Sequence, residues 1–139
     1  MKVIILAGGL GTRISEYTHS IPKPMILVNK VPILIHIMSH FSRFSFNEFI
    51  IATGYKSKII ENYFKKNKFK NWKIDIIPTG RNTMTGGRLK RLKKKLKNNE
   101  QFFLTYGDGV SNIDLKKLFI FHKKNKKIAT ISAVRPPAR

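Results

Sequence analysis

Short apolar runs bounded by turn residues recur along this chain, and segments with helical spacing separate them. The runs are Val3 to Ala7, Phe49 to Ala52, Ile74 to Ile77, Phe102 to Thr105 and Ile128 to Val134, each of strand length and rich in β-branched or aromatic residues. Between them, Pro32 stands at a first helical position, and Ile33, Ile37, Phe41 and Phe44 follow three or four residues apart, widened by Leu34 and Met38. Lys56 to Lys66 carries Ile59, Ile60, Tyr63 and Phe64; Leu89, Leu92 and Leu96 form a narrow stripe; Leu115, Leu118, Phe119 and His122 form another. Four helices alternating with five strands predict a three-layer α/β/α sandwich on a mainly parallel, Rossmann-like sheet, because parallel strands need crossovers that cover both faces. In such sheets ligands sit beyond the carboxyl ends of the strands. The turns after Ala7 and after Thr105 are therefore where a site is expected.

The first of these turns reads Leu6-Ala7-Gly8-Gly9-Leu10-Gly11-Thr12-Arg13. Glycines let backbone N–H groups surround a phosphate chain, and Arg13 adds a charged fork. The turn is neither a dinucleotide fingerprint, which needs glycine where Ile14 stands, nor a P-loop, which needs Lys then Ser or Thr after its last glycine. A tight turn without a ligand stays open as the alternative. Lys23 lies between Pro22 and Pro24, which fix the neighbouring backbone and stiffen its approach; it reads as a point charge for phosphate or as a surface lysine in a proline loop. Tyr106-Gly107-Asp108-Gly109 follows the fourth strand. Asp108 is thereby placed to hold a hard cation such as Mg²⁺, or else it belongs to an ordinary Asp-Gly turn.

At 139 residues the chain is about one domain. Zero cysteine excludes disulfide scaffolds, thiolate zinc sites and cysteine nucleophiles. No apolar run approaches the ~20 residues that cross a bilayer, so neither a membrane nor export is expected, and the compartment expected is the cytoplasm. The net charge of +21 points to a polyanion. Yet the cations are 21 Lys against 7 Arg, among 19 Ile and 10 Asn, a bias that an AT-rich coding sequence also produces. Without a docking motif, nucleic acid is not the partner expected. His36 and His40 are four apart on a helix but lack a third ligand or an intervening acid. Arg88 to Lys97 holds seven cations and three leucines, which suits a crossover helix with solvated lysines better than a membrane-surface one. Trp72 reads as a core or sheet-edge aromatic.

Taken together, Gly8, Gly9, Gly11, Arg13, Pro22, Lys23 and Pro24 resemble the signature of the sugar-phosphate nucleotidyltransferases, a glycine-rich turn ending in Gly-x-Arg with Pro-Lys-Pro about ten residues on. Three further segments are similar to the branch that couples CTP to glucose 1-phosphate: Met84-Thr85-Gly86-Gly87-Arg88-Leu89-Lys90-Arg91, Thr105-Tyr106-Gly107-Asp108-Gly109-Val110 and Arg135-Pro136-Pro137-Ala138-Arg139. The resemblance implies transfer of CMP from CTP to glucose 1-phosphate, with CDP-glucose and pyrophosphate as products. It implies that Leu6, Ala7, Gly8, Gly9, Gly11, Thr12 and Arg13 hold the triphosphate, and that Thr85, Gly86, Gly87 and Arg88 lie near the nucleotide. Arg13, Lys23 and Asp108 are then the catalytic set, with Asp108 on Mg²⁺, in a protein that is a homo-oligomer at full length. Between Tyr63 and Trp72 the family typically has a longer excursion than Phe64 to Asn71. It also continues beyond the matched part with a sugar-binding region and a second metal aspartate, so residues 1–139 read as its nucleotide-binding portion.

The chemistry agrees with that implication. A sugar 1-phosphate is already an anionic nucleophile, so attack on an α-phosphorus needs alignment, charge neutralisation and a stabilised leaving group rather than a strong base. Rival readings are a sibling enzyme with another base or sugar, a non-catalytic nucleotide-binding or regulatory module, and a basic nucleic-acid binder.

Overall fold

The structure, a computed structural model, describes residues 1–9 and 20–135. Gly11, Thr12, Arg13 and the last four residues of the Arg135–Arg139 motif lie outside the described residues. Four parallel strands form the central sheet: β1 (Lys2–Ala7), β4 (Glu48–Thr53), β5 (Lys73–Pro78) and β6 (Phe102–Tyr106), in the order β5-β4-β1-β6. Two-residue strands β2 (Leu27–Val28) and β3 (Val31–Pro32) make a small antiparallel hairpin. The helices are α1 (Ile33–Arg43), α2 (Ser57–Lys66), α3 (Thr85–Arg91) and α4 (Leu115–Asn125).

Alternation along the strands assigns the two faces. Val3, Ile5 and Ala7 of β1, with Phe49 and Ile51 of β4, pack against Leu34, Ile37, Met38 and Phe41 of α1, Ile60 and Phe64 of α2, and Leu115 of α4. Their neighbours in sequence, Ile4, Leu6, Ile50 and Ala52, face the other way onto Leu92, with Leu89 and Leu96 beside it. The stripe of three leucines thus covers the second face as expected. Its helix begins earlier, at Thr85, and tightens to a 3₁₀ turn over Lys93–Lys95, which turns Leu96 back onto the sheet. Trp72 stacks on Phe69 at 4.5 Å between ring centroids and donates its Nε1–H to Ser42 Oγ, so it closes the end of the larger core.

The expected fifth strand is not formed. Ile128, Ile131 and Val134 are fully or largely exposed, and residues 128–134 join no ladder. High β propensity reports how well a side chain packs on a sheet, and among the described residues no strand is offered to this segment as a partner. Instead a bond between His122 Nδ1 and Thr130 Oγ1, 2.9 Å long, ties it back to α4.

The hairpin was also illegible, because two-residue strands carry no periodicity. Its turn is Asn29-Lys30, and both residues take positive φ, 49° and 65°, as a type I′ turn requires. The hairpin carries the chain from the Lys23 segment into α1, with Ile33 N–H donating back to Ile26 O.

Candidate active site

The strand order places a crevice where the chain, having built outward from β1 to β4 and β5, crosses to β6 on the other side. Ligands occupy this position in open α/β sheets. Register fixes its walls: Leu6 of β1 pairs with Tyr106 of β6, and Gly107 N–H donates to Leu6 O at 3.0 Å. The turn starting at Gly8 and the turn carrying Asp108 therefore leave the sheet side by side.

Lys23 arrives over this crevice from a 3₁₀ turn, Lys23–Met25, whose flanking Pro22 and Pro24 are buried. Pro22 is extended, with φ −70° and ψ 146°, and its carbonyl accepts from Met25 N–H at 2.8 Å. A side chain on Gly107 would meet Pro24 Cγ at 3.0 Å and Ala7 Cβ at 3.3 Å. Glycine at 107 thus leaves the proline room to settle closely onto the strand ends. Seated this way, Lys23 Nζ comes within 2.6 Å of Asp108 Oδ2, with both side chains partly exposed. The proline-bracketed lysine and the strand-end aspartate, 85 positions apart, are one constellation.

Arg88 is a second centre; the resemblance implies that it lies near the nucleotide, and the structure shows what holds its side chain. The side chain is 5% exposed. Nη2 donates to Gly8 O at 2.7 Å and Arg81 O at 3.2 Å; Nη1 donates to Thr79 Oγ1 and Gly80 O, both at 2.8 Å, and to Thr53 O at 3.2 Å. Thr79 Oγ1 in turn donates to Thr53 O at 2.8 Å. One guanidinium thus ties together the ends of β1, β4 and β5 and fixes the first carbonyl of the glycine turn. Burial, and secondarily the charge of Arg91, lower its pKa from the ordinary arginine value. Among the described residues its charge is met by carbonyl dipoles rather than a carboxylate. A Cβ on Gly8 or on Gly54 would overlap this guanidinium. These glycines are small for the arginine, a requirement hidden in sequence because Gly54 and Arg88 are 34 positions apart.

Other expected residues are less gathered. Thr85 and Gly86 lie exposed in the first turn of α3, and Gly87 packs on Thr83 Cγ2. His36 and His40 do not converge: Nε2 of the first bonds to Val28 O at 2.9 Å and Nε2 of the second to Ile113 O at 3.0 Å. Among the described residues no three His, Cys, Asp or Glu side chains form a cation cage, and no helix is long and apolar enough to cross a membrane. Asp108 offers a carboxylate beside Lys23 in the crevice. A single carboxylate suits Mg²⁺, which retains waters and takes its other ligands from substrate phosphates.

Known proteins share this arrangement of sequence and fold. The chain is 41% identical over its whole length to a glucose-1-phosphate cytidylyltransferase of Salmonella typhimurium, of which it covers 62%. It is 37% identical to a D-glycero-alpha-D-manno-heptose 1-phosphate guanylyltransferase of Campylobacter jejuni, over 89% of this chain and 55% of that one. HddC from Yersinia pseudotuberculosis, solved in complex with GMP-PN, superposes with a TM-score of 0.76 at 32% identity, over 87% of this chain and 53% of that one. The chain therefore spans somewhat more than half the length of these relatives. The family model described as nucleotidyl transferase matches residues 2–139, and with the crevice, the Lys23–Asp108 pair and the buried arginine on one rim of the sheet, the chain belongs to that family.

Proposed function

We propose that this chain is the nucleotide-binding part of an enzyme that moves CMP from CTP to glucose 1-phosphate and releases pyrophosphate. The observation that carries the reading is the meeting of Lys23 and Asp108 at the switch-point crevice, beside a glycine turn whose first carbonyl is fixed by Arg88. A phosphate oxygen of the sugar 1-phosphate attacks the α-phosphorus of CTP, and the bond from that phosphorus to the bridging oxygen of pyrophosphate breaks. No proton need be removed from the attacking oxygen.

The backbone from Leu6 to Gly9, continued by Gly11, Thr12 and Arg13, holds the triphosphate through N–H groups and one fork of positive charge. Lys23 contributes a fixed charge at the reacting phosphate, where negative charge is redistributed in the transition state. Asp108 holds Mg²⁺, which when bound neutralises phosphate charge and assists departure of pyrophosphate. Arg88 keeps the turn in register with the 79–84 segment, so that the triphosphate end and the base end of the nucleotide are presented from one rigid rim. A second reading, guanylyl transfer to a heptose phosphate, is supported by the 37% identity to the Campylobacter guanylyltransferase.

Calorimetric titration with CTP, GTP, UTP and ATP in Mg²⁺ separates the two. CTP is expected to bind most tightly; preference for GTP favours the second reading, and equal affinities remove the base assignment. Arg13→Ala is expected to weaken CTP binding. In a chain extended by a family-like carboxyl-terminal part, Lys23→Ala is expected to lower single-turnover CDP-glucose formation at saturating CTP by ~10² to 10³. Recovery of full rate at saturation would make Lys23 a uniform binding residue.

A further inference from the structure

We propose that Lys23 is the resident counter-cation of Asp108: it keeps a bare divalent ion off this carboxylate until a nucleotide draws the lysine away. This rests on the reading of Asp108 as the metal carboxylate and adds to it a rule for when the metal enters. The ammonium sits 2.6 Å from Oδ2, while Mg²⁺ would approach a carboxylate oxygen to ~2.1 Å. Both cations would then crowd one carboxylate, in a crevice where, among the described residues, no group of three or more acidic or imidazole side chains gathers to offset them. Their mutual repulsion makes lysine contact and cation entry alternatives.

The geometry makes the competition persistent. A lysine on a free loop would swing into solvent at little cost, but the Lys23 backbone is anchored by Met25 N–H on Pro22 O and by Pro24 packed over Gly107. Its ammonium is returned to the same carboxylate after each excursion. A triphosphate in the glycine turn changes the balance, because its oxygens accept the lysine and also supply the ligands that the cation lacks. Departure of Lys23 from Asp108 and arrival of the cation then become one exchange, favourable only with nucleotide present. By linkage, the nucleotide raises cation affinity by the same factor as the cation raises nucleotide affinity.

The test reads Mn²⁺ binding directly, by electron paramagnetic resonance of free Mn²⁺ in titrations of the 139-residue chain, with and without saturating CTP. Without nucleotide, Lys23→Met is expected to bind Mn²⁺ about fivefold more tightly than the parent chain, and the gain is lost when Asp108→Asn is added. With CTP the difference between parent and Lys23→Met is expected to close to within about twofold. Lys95→Met, which removes a lysine paired with Asp75, reports the effect of overall charge and is expected to change Mn²⁺ affinity by less than about twofold. Equal gains in Lys23→Met and Lys95→Met, or none in Lys23→Met, overturn the proposal while leaving Asp108 its metal role. If Asp108→Asn leaves Mn²⁺ binding in the presence of CTP unchanged, the metal assignment itself fails, and the counter-cation role with it.

Discussion

Arg88 shows how one side chain can carry a site without presenting a free hand to a ligand. A guanidinium has five N–H donors in a fixed fork, and both Nη groups are spent here on four carbonyls and a hydroxyl. Lysine keeps the charge but has three donors radiating from one point, so it cannot span from Gly8 to Arg81 and Thr53 together. Arg88→Lys is therefore expected to destabilise the chain by about 2–4 kcal/mol, because buried carbonyls lose partners worth roughly 1–3 kcal/mol each. Urea denaturation monitored by far-UV circular dichroism measures this, and a loss under ~0.5 kcal/mol would mean that water or a neighbouring donor replaces the fork. Lys23 and Asp108 differ in kind. Their types and punctuation already suggested phosphate and metal chemistry, and the structure adds that they meet. Arg88 was visible as a motif member, but its burial depends on glycines at positions 8 and 54, which only the folded strand ends bring together.

At the level of elements, what could be read from the sequence was what repeats. The four central strands and four helices follow from runs and stripes of the right length, and the two-faced core follows from the crossovers that cover both faces of a parallel sheet. Pairing was not legible, since it depends on partners distant in sequence; hence the expectation of a strand over Ile128 to Val134, which finds none. The β2–β3 hairpin was missed for the opposite reason, being too short to show a pattern and turning on Asn29-Lys30 rather than on Asn-Gly. Lysine at the second position holds φ at 65°, which a residue with a Cβ adopts only at a cost. Lys30→Gly is expected to stabilise the chain by about 0.5–1 kcal/mol, read as a higher urea midpoint at unchanged m-value. A lower midpoint would show that the lysine side chain contributes more than its backbone costs. Because this hairpin returns the chain from Lys23 to α1, its stiffness is also part of how Lys23 is held.

Over the whole molecule, a net charge of +21 is opposed by four ion pairs among the described residues. Most lysines therefore repel one another through solvent, and salt that shortens the screening length relieves the folded state more than the expanded one. Raising NaCl from ~20 to ~300 mM is expected to stabilise the chain by about 1 kcal/mol, roughly 3–5 °C in Tm. A fall in Tm would indicate that the favourable ion pairs outweigh the repulsion. Among the described residues β6 is an edge strand: it shows Leu104 and Tyr106 to solvent on the face that α3 leaves uncovered, and Ile120 and Phe121 of α4 are exposed as well. This edge strand has a bearing on how the protein is made. The crevice has one wall from β1 and the other from a strand about one hundred residues later, and the two must pair in register before Asp108 stands beside the turn that begins at Gly8. At the ~5–20 residues per second of translation, the turn after β1 waits roughly 5–20 seconds for its counterpart, so a nascent chain stalled before β6 has no crevice to occupy. Nucleotide bound as proposed above can therefore act on the nascent chain only once β6 has paired with β1, as a ligand that selects chains in which the crevice has formed.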